Sequence, residues 1–368
     1  MSDKQRTTLF TKEEFLWIKG IAIILMLIHH LFTYPDWYID GISYKYSGVF
    51  SEYFCWNTKI CVGIFAFLTG YAYAYNPNPN YKYSIKKIRL FLVNYWIVYI
   101  PLLILCIAMG YYHFNLREFI LGLFGLSSSV MIFCWYVYFY ILLLLMFPLL
   151  KKGMDQGIIQ ALLYGFAAPI AVFFCVCKFI PPAFANGLMT EICLNVMTWI
   201  PCTTIGYIVT KYDLLYILEK FFKTHNLNRI YIHFTIIIVV FGLNWWCSKF
   251  FWNIYYIVNP AAILTPILLF SVVALLRRTS FMLIRNCLVF WGKQSMNIWF
   301  LHCIFFNCAK NFFQPIAYWP QNPLLVLLWV LGMCSLASLI IEKAKSFFKK
   351  LIIRQNLISQ RCKKEAGF

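Results

Sequence analysis

The stretch Phe15–Phe32, FLWIKGIAIILMLIHHLF, is the first apolar run of the chain, and the rest of the sequence is read outward from it. A spanning helix needs about 20 mostly apolar residues, and this run comes close. It carries Lys19 near its start and His29 and His30 deep inside. A helix rises about 1.5 Å and turns about 100° per residue, so Lys19 and His30 lie roughly 16 Å apart along the axis, on one face. His29 points about 80° away from that stripe. Ionisable side chains at bilayer depth are costly and mark functional positions. The stripe predicts a cation at one membrane surface and an imidazole near mid-bilayer, both facing one space that the other helices enclose.

Composition fits that reading. The 368 residues are 62% hydrophobic and 12% charged, with a mean hydropathy of +0.71. A soluble domain averages about 25% charged residues. No long polar stretch divides the chain, so one membrane domain (1–345) and a short basic cytoplasmic tail (346–368) are expected. The fold class is all-α, a polytopic bundle of ten transmembrane helices. Their runs fall near 15–33, 60–76, 88–109, 130–150, 158–177, 191–210, 230–247, 254–276, 287–309 and 323–341. The breaker NPNPN (Asn76 to Asn80) closes the second. Pro101, Pro169, Pro201, Pro260 and Pro266 fall inside runs, which membrane helices tolerate when neighbours satisfy the freed backbone groups. Phe119–Leu126 is too brief to cross and is expected to lie at the interface or re-enter. The first run has no small-residue cleavage site after it and is expected to persist as an uncleaved helix.

Charge placement gives orientation. Cytoplasmic segments are rich in Lys and Arg. With both termini inside, 24 of the 32 basic residues fall on inner segments and 6 on outer ones (Lys45, Lys59, Arg117, Lys178, Lys249 and Lys310). Lys19 and Lys293 sit at inner ends of spans. The inner set includes Lys4 and Arg6 before the first span, and Arg277, Arg278 and Arg285 before the ninth. The net charge of +19 therefore reads as a topology signal of a multi-pass plasma-membrane protein, and no nucleic-acid partner is expected. Aromatic residues such as Trp37, Tyr38, Trp56, Trp245, Trp246, Trp252, Tyr318 and Trp319 are expected to belt the interfaces. The 14 cysteines are scattered through apolar runs without a CxxC pair or metal spacing, so no metal centre is predicted.

None of the 13 carboxylates lies deep in a predicted span; Glu191 is at the mouth of the sixth. That counts against a proton-coupled transporter, which runs on buried acids. It leaves His29, His30 and His302 as the side chains at membrane depth that can act as a base. A neutral imidazole is a competent general base near pH 7. At the inner end of the third span, Lys86 and Arg89 share a face three residues apart and could clamp an anionic ligand from the cytoplasm. Lys293, within GKQSMNIWFLH, could join them, and Ser295 and His302, seven apart, share a face of that helix.

Together these motifs resemble the integral-membrane acyltransferase-3 family, of the bacterial glycan O-acyltransferase type. That family shows a basic residue, ten residues, then His in its first helix, as Lys19 and His30 stand here. Its Arg-x-x-Arg pair entering the third helix corresponds to Lys86 and Arg89. Phe133–Leu150, FCWYVYFYILLLLMFPLL, is similar to its Trp-aromatic fourth helix. Gly292–His302 is similar to its Gly-basic-x-Ser-Tyr-x-x-Tyr-x-x-His segment, with Met296 and Trp299 for the tyrosines. The resemblance implies transfer of an acyl group, most often acetyl from acetyl-CoA, to a hydroxyl of an exported or lipid-linked glycan of the cell envelope. It implies His30 and His302 as catalytic residues, Lys19, Lys86, Arg89 and Lys293 as donor-binding cations, and His29, Ser295 and Trp135 in support. His30 would be the base or a transient acyl carrier. The alternative is a transporter or flippase for a lipid-linked sugar or polysaccharide, with the basic positions as binding sites and His30 as a gate.

Overall fold

The chain enters its first helix through a capping box. Thr11 Oγ1 accepts from the Glu14 amide at 3.2 Å, and the Glu14 carboxylate accepts from the Thr11 amide at 2.8 Å. From there α1 runs Lys12–Phe32. The computed structural model describes residues 10–42, 54–76, 80–179, 181, 187–250 and 259–365. Lys4, Arg6, Lys45, Trp252, positions 77–79 of the NPNPN breaker and the start of the run at 254 lie outside the described residues.

After α1 come α2 (Ile60–Tyr75), α3 (Tyr81–Ala108), α4 (Leu116–Gly122), α5 (Trp135–Met154), α6 (Ile158–Leu162) and α7 (Ala168–Phe179). Then follow α8 (Leu188–Lys211), α9 (Leu214–Thr224), α10 (Ile230–Phe250), α11 (Ala261–Leu276), α12 (Met282–His302), α13 (Lys310–Ala317) and α14 (Pro323–Glu365). A π-helical stretch, Leu163–Ala167, joins α6 to α7. There is no strand among the described residues, only an isolated bridge between Met131 and Asn307.

Helices stand at all ten predicted runs, but among the described residues only seven are long and apolar enough to cross a membrane by length and composition. They are α1, α3, 132–154, 158–179, α8, α10 and the first 25 residues of α14. α2 and α11 are apolar but short. α12 has the length and lacks the apolarity, since it carries Arg285, Lys293, Gln294 and Asn297. Its polar positions are partly spent inside the protein. Asn297 Nδ2 donates to Ser338 Oγ at 3.0 Å and to Glu342 at 2.8 Å, and Ser338 Oγ donates to Gln294 Oε1 at 2.5 Å, stitching α12 to α14. The expected tail is continuous with the last span, because α14 runs unbroken to Glu365. The short run near Phe119 is α4, Leu116–Gly122.

Two helix pairs set the bundle. In α1/α12, a Cβ on Gly20 would meet the Leu288 carbonyl, and one on Gly292 the Leu16 carbonyl. In α2/α8, a Cβ on Gly70 would meet the Thr203 carbonyl, and one on Gly206 the Phe67 carbonyl. Only glycine admits backbones this close, a device common between membrane helices. Both pairs run parallel, which brings the carboxyl ends of α1 and α12 to the same end of the bundle. Two of the expected interfacial aromatics are core instead. Tyr38 and Tyr318 are buried, and both hydroxyls donate to the Leu31 carbonyl, so they anchor the end of α1.

Candidate active site

α1, α2, α3, α5 and α12 surround a cavity of about 300 Å³. From α1 it is lined by Phe15, Lys19, Met26 and His30. These positions follow the helical repeat, and His29 is absent from them. His29 is buried and turned aside, its Nδ1 3.2 Å from both the Cys55 carbonyl and the Thr33 hydroxyl, and its Nε2 3.3 Å from the Tyr34 hydroxyl.

His30 stands near the carboxyl end of its helix. It lies in the last turn of α1, two residues before its end at Phe32. His302 is the last residue of α12. The two meet: His30 Nδ1 is 2.7 Å from His302 Nε2, with ring planes 4° apart. Phe133 stacks on His30 at 3.8 Å, holding the imidazole flat. On its other side, His302 Nδ1 lies against the Trp299 carbonyl. A carbonyl only accepts, so the His302 proton sits on Nδ1 and Nε2 is its acceptor. His30 must then donate through Nδ1–H, which leaves its Nε2 with a free lone pair. The tautomer that a general base needs is thereby set by two hydrogen bonds. A positive charge formed on this pair would also face the carboxyl ends of two helices, where the macrodipole favours cations.

The opposite end of the cavity is cationic. Lys19 makes no hydrogen bond or ion pair among the described residues, and its ammonium rests over the Phe15 ring at 5.3 Å. Lys87 lines the same end and lies over Tyr83 at 5.4 Å. Ser295, Met296 and Trp299 of α12 and Trp135, Tyr136 and Tyr140 of α5 form the walls between.

Of the residues singled out from the sequence, the cavity gathers Lys19, His30, Ser295 and Trp135, with His302 one hydrogen bond behind His30. Lys86, Arg89 and Lys293 are exposed and do not line it. Their α3 neighbour Lys87, which sequence reasoning passed over, does. The signal was present: Tyr83, Lys87 and Phe91 recur every four residues and so share one face of α3, whereas Lys86 and Arg89 fall outside that row. Tyr136 and Tyr140 form the same kind of row on α5. Among the described residues no group of three or more His, Cys, Asp or Glu side chains could hold a metal ion.

Residues 13–343 match a family model described as an acyltransferase domain, Acyl_transf_3. No curated protein and no solved structure matches the chain.

Proposed function

The chain belongs to the acyltransferase-3 family, and from that premise we propose that this membrane acyltransferase carries an acetyl group from cytoplasmic acetyl-CoA to a hydroxyl of an exported or lipid-linked glycan. The observation that carries this reading is the single cavity joining two unpaired ammonium groups to one end of a histidine pair. A ten-crossing bundle with both ends in the cytoplasm accommodates it, with α2, α11 and α12 crossing beside longer neighbours. The parallel course of α1 with α12, and of α2 with α8, suits that count.

CoA is a polyanion on a thin arm that ends in a thioester. Lys19 and Lys87 seat its phosphates, and Lys86, Arg89 and Lys293, exposed nearby in sequence, attract it to the mouth without touching the reacting atoms. The arm lies along Phe15, Met26 and Phe91 toward His30. The glycan hydroxyl reaches the other side of the ring. His30 Nε2 takes the hydroxyl proton as the oxygen attacks the thioester carbonyl; the C–S bond breaks and the leaving thiolate takes that proton from His30. The hydrogen bond to His302 strengthens as His30 becomes charged, which lowers the barrier. Trp135 and Ser295 line the path and orient the reactants; His29 only braces the turn after α1.

Membranes containing the protein are supplied with radiolabelled acetyl-CoA and their glycan fraction is counted. The expected result is label in the glycan from the wild type and none above background from His30→Ala. Equal labelling by the two would end this proposal.

A further inference from the structure

A second cavity, of about 390 Å³, lies where α9 links α8 to α10, and it shares no lining residue with the first. Glu219, Lys223, Asn228, Arg277 and Arg278 face it. Arg277 is committed: it pairs with Glu14 at 2.7 Å and with Glu219 at 3.3 Å. Lys223 also pairs with Glu219, at 2.9 Å. Arg278 pairs with no carboxylate among the described residues. Its Nη2 donates to the Asn228 carbonyl at 3.1 Å, and its Nε is buried without a partner. His233, behind Asn228, holds its Oδ1 at 3.0 Å, so that amide oxygen is not available to Arg278. Three cations thus meet two carboxylates, and one guanidinium donor is buried and unspent.

α9 itself is the second observation. Its 11 residues are too few to cross a bilayer. Tyr216, Ile217 and Phe221 are all exposed on the same helix that supplies Glu219 and Lys223. A helix with an apolar face outward and lysines beside it lies in the interface plane. The cavity therefore opens at the level of lipid headgroups, next to a surface that suits acyl chains.

We propose that this cavity seats the phosphate of an anionic phospholipid, with Arg278 and Lys223 donating to it and the acyl chains lying along the outer face of α9. A forked guanidinium suits phosphate oxygens, and basic pockets between membrane helices on the cytoplasmic side bind such headgroups. Free phosphate would satisfy Arg278 but leave the apolar face of α9 uncovered.

The test uses the full-length protein in a neutral detergent, titrated with phosphatidylglycerol or phosphatidylcholine and read by native mass spectrometry. Phosphatidylglycerol is expected to be retained in preference to phosphatidylcholine. Retention should weaken about tenfold in Arg278→Gln and recover partly in Arg278→Lys. The melting temperature without added lipid should not change. If Arg278→Gln does not fold, Lys223→Gln carries the same expectation. Equal retention by wild type and both Gln variants overturns the proposal. So does equal retention of the two lipids, or stabilisation by millimolar inorganic phosphate with none by phosphatidylglycerol. Acyl transfer plays no part in these readouts, so they stand or fall apart from the function proposed above.

Discussion

The α1/α12 and α2/α8 pairs are built alike and carry different loads. Each is a parallel crossing in which one glycine from each helix meets a backbone carbonyl of the other. In α2/α8 the polar groups near the seam serve the backbone: Thr204 Oγ1 donates to the Gly165 carbonyl at 2.7 Å, and Thr210 Oγ1 to the Gly206 carbonyl at 2.8 Å. α8 gives no residue to the central cavity. In α1/α12 the face beside the seam holds Lys19, His30, Ser295 and Trp299, and the two helices end on a pair of histidines. The glycine seam is thus a general way to fix two helices. Chemistry is added to one pair by what stands a quarter-turn from the seam. Parallel packing has a further consequence there, since it brings two carboxyl ends and their dipoles to one point.

The largest expected effect strikes both pairs equally. Gly292→Val and Gly70→Val each force a side chain into a carbonyl of the facing helix, at a cost of about 3 kcal/mol or more. Both variants should fail to accumulate as folded protein, checked by size-exclusion profiles in detergent. Normal profiles for either would show that its seam is looser than the glycine contacts indicate.

The next effects separate the pairs. His302→Ala removes the acceptor for His30 Nδ1 and should reduce acyl transfer by about 100-fold while the protein stays folded. Thr204→Ala in the other pair should do the reverse, lowering the melting temperature through the loss of about 1 kcal/mol with transfer retained. Within the cavity, Lys87→Ala should raise the KM for acetyl-CoA by about tenfold with kcat little changed, whereas Lys86→Ala should change it less than about twofold. A larger effect from Lys86 would move the donor site out of the cavity.

The smallest effect concerns the carboxyl end of α5, beside α8. Burial raises the pKa of Asp155, but hydrogen bonds from Lys151, Tyr207 and Lys211 outweigh it and hold the carboxyl below the usual range. A depressed carboxyl stabilises the fold above its unfolded pKa of about 3.9, and that contribution is lost as pH falls through the folded value. The melting temperature should therefore fall below about pH 4, and Asp155→Asn should flatten that slope. An unchanged slope would remove Asp155 from the contacts that hold α5 to α8.

The helices were legible because an apolar run of about 20 residues reports a spanning helix directly. The stripe of Lys19 and His30 was legible because the helical repeat fixes which side chains share a face. α12 was harder, since a helix whose polar side is satisfied by Ser338 and Glu342 need not look apolar. The resemblance named His302 beside His30, but the hydrogen bond between them could not be read from spacing, because residues 272 apart meet only through tertiary packing. Lys87 was hidden by its company: among Lys86, Lys87 and Arg89, spacing to one another selected the first and third, and only spacing to Tyr83 and Phe91 selects the second.

The most direct measurement is the rate of acetyl transfer in membranes at rising acetyl-CoA for two variants, Lys19→Ala/Lys87→Ala and His30→Ala. If cations at one end hold the donor and the imidazole at the other performs the reaction, the double lysine variant regains the wild-type rate at saturating donor, and His30→Ala stays near background at every concentration. A His30→Ala enzyme that reaches the wild-type rate at saturation would contradict the account.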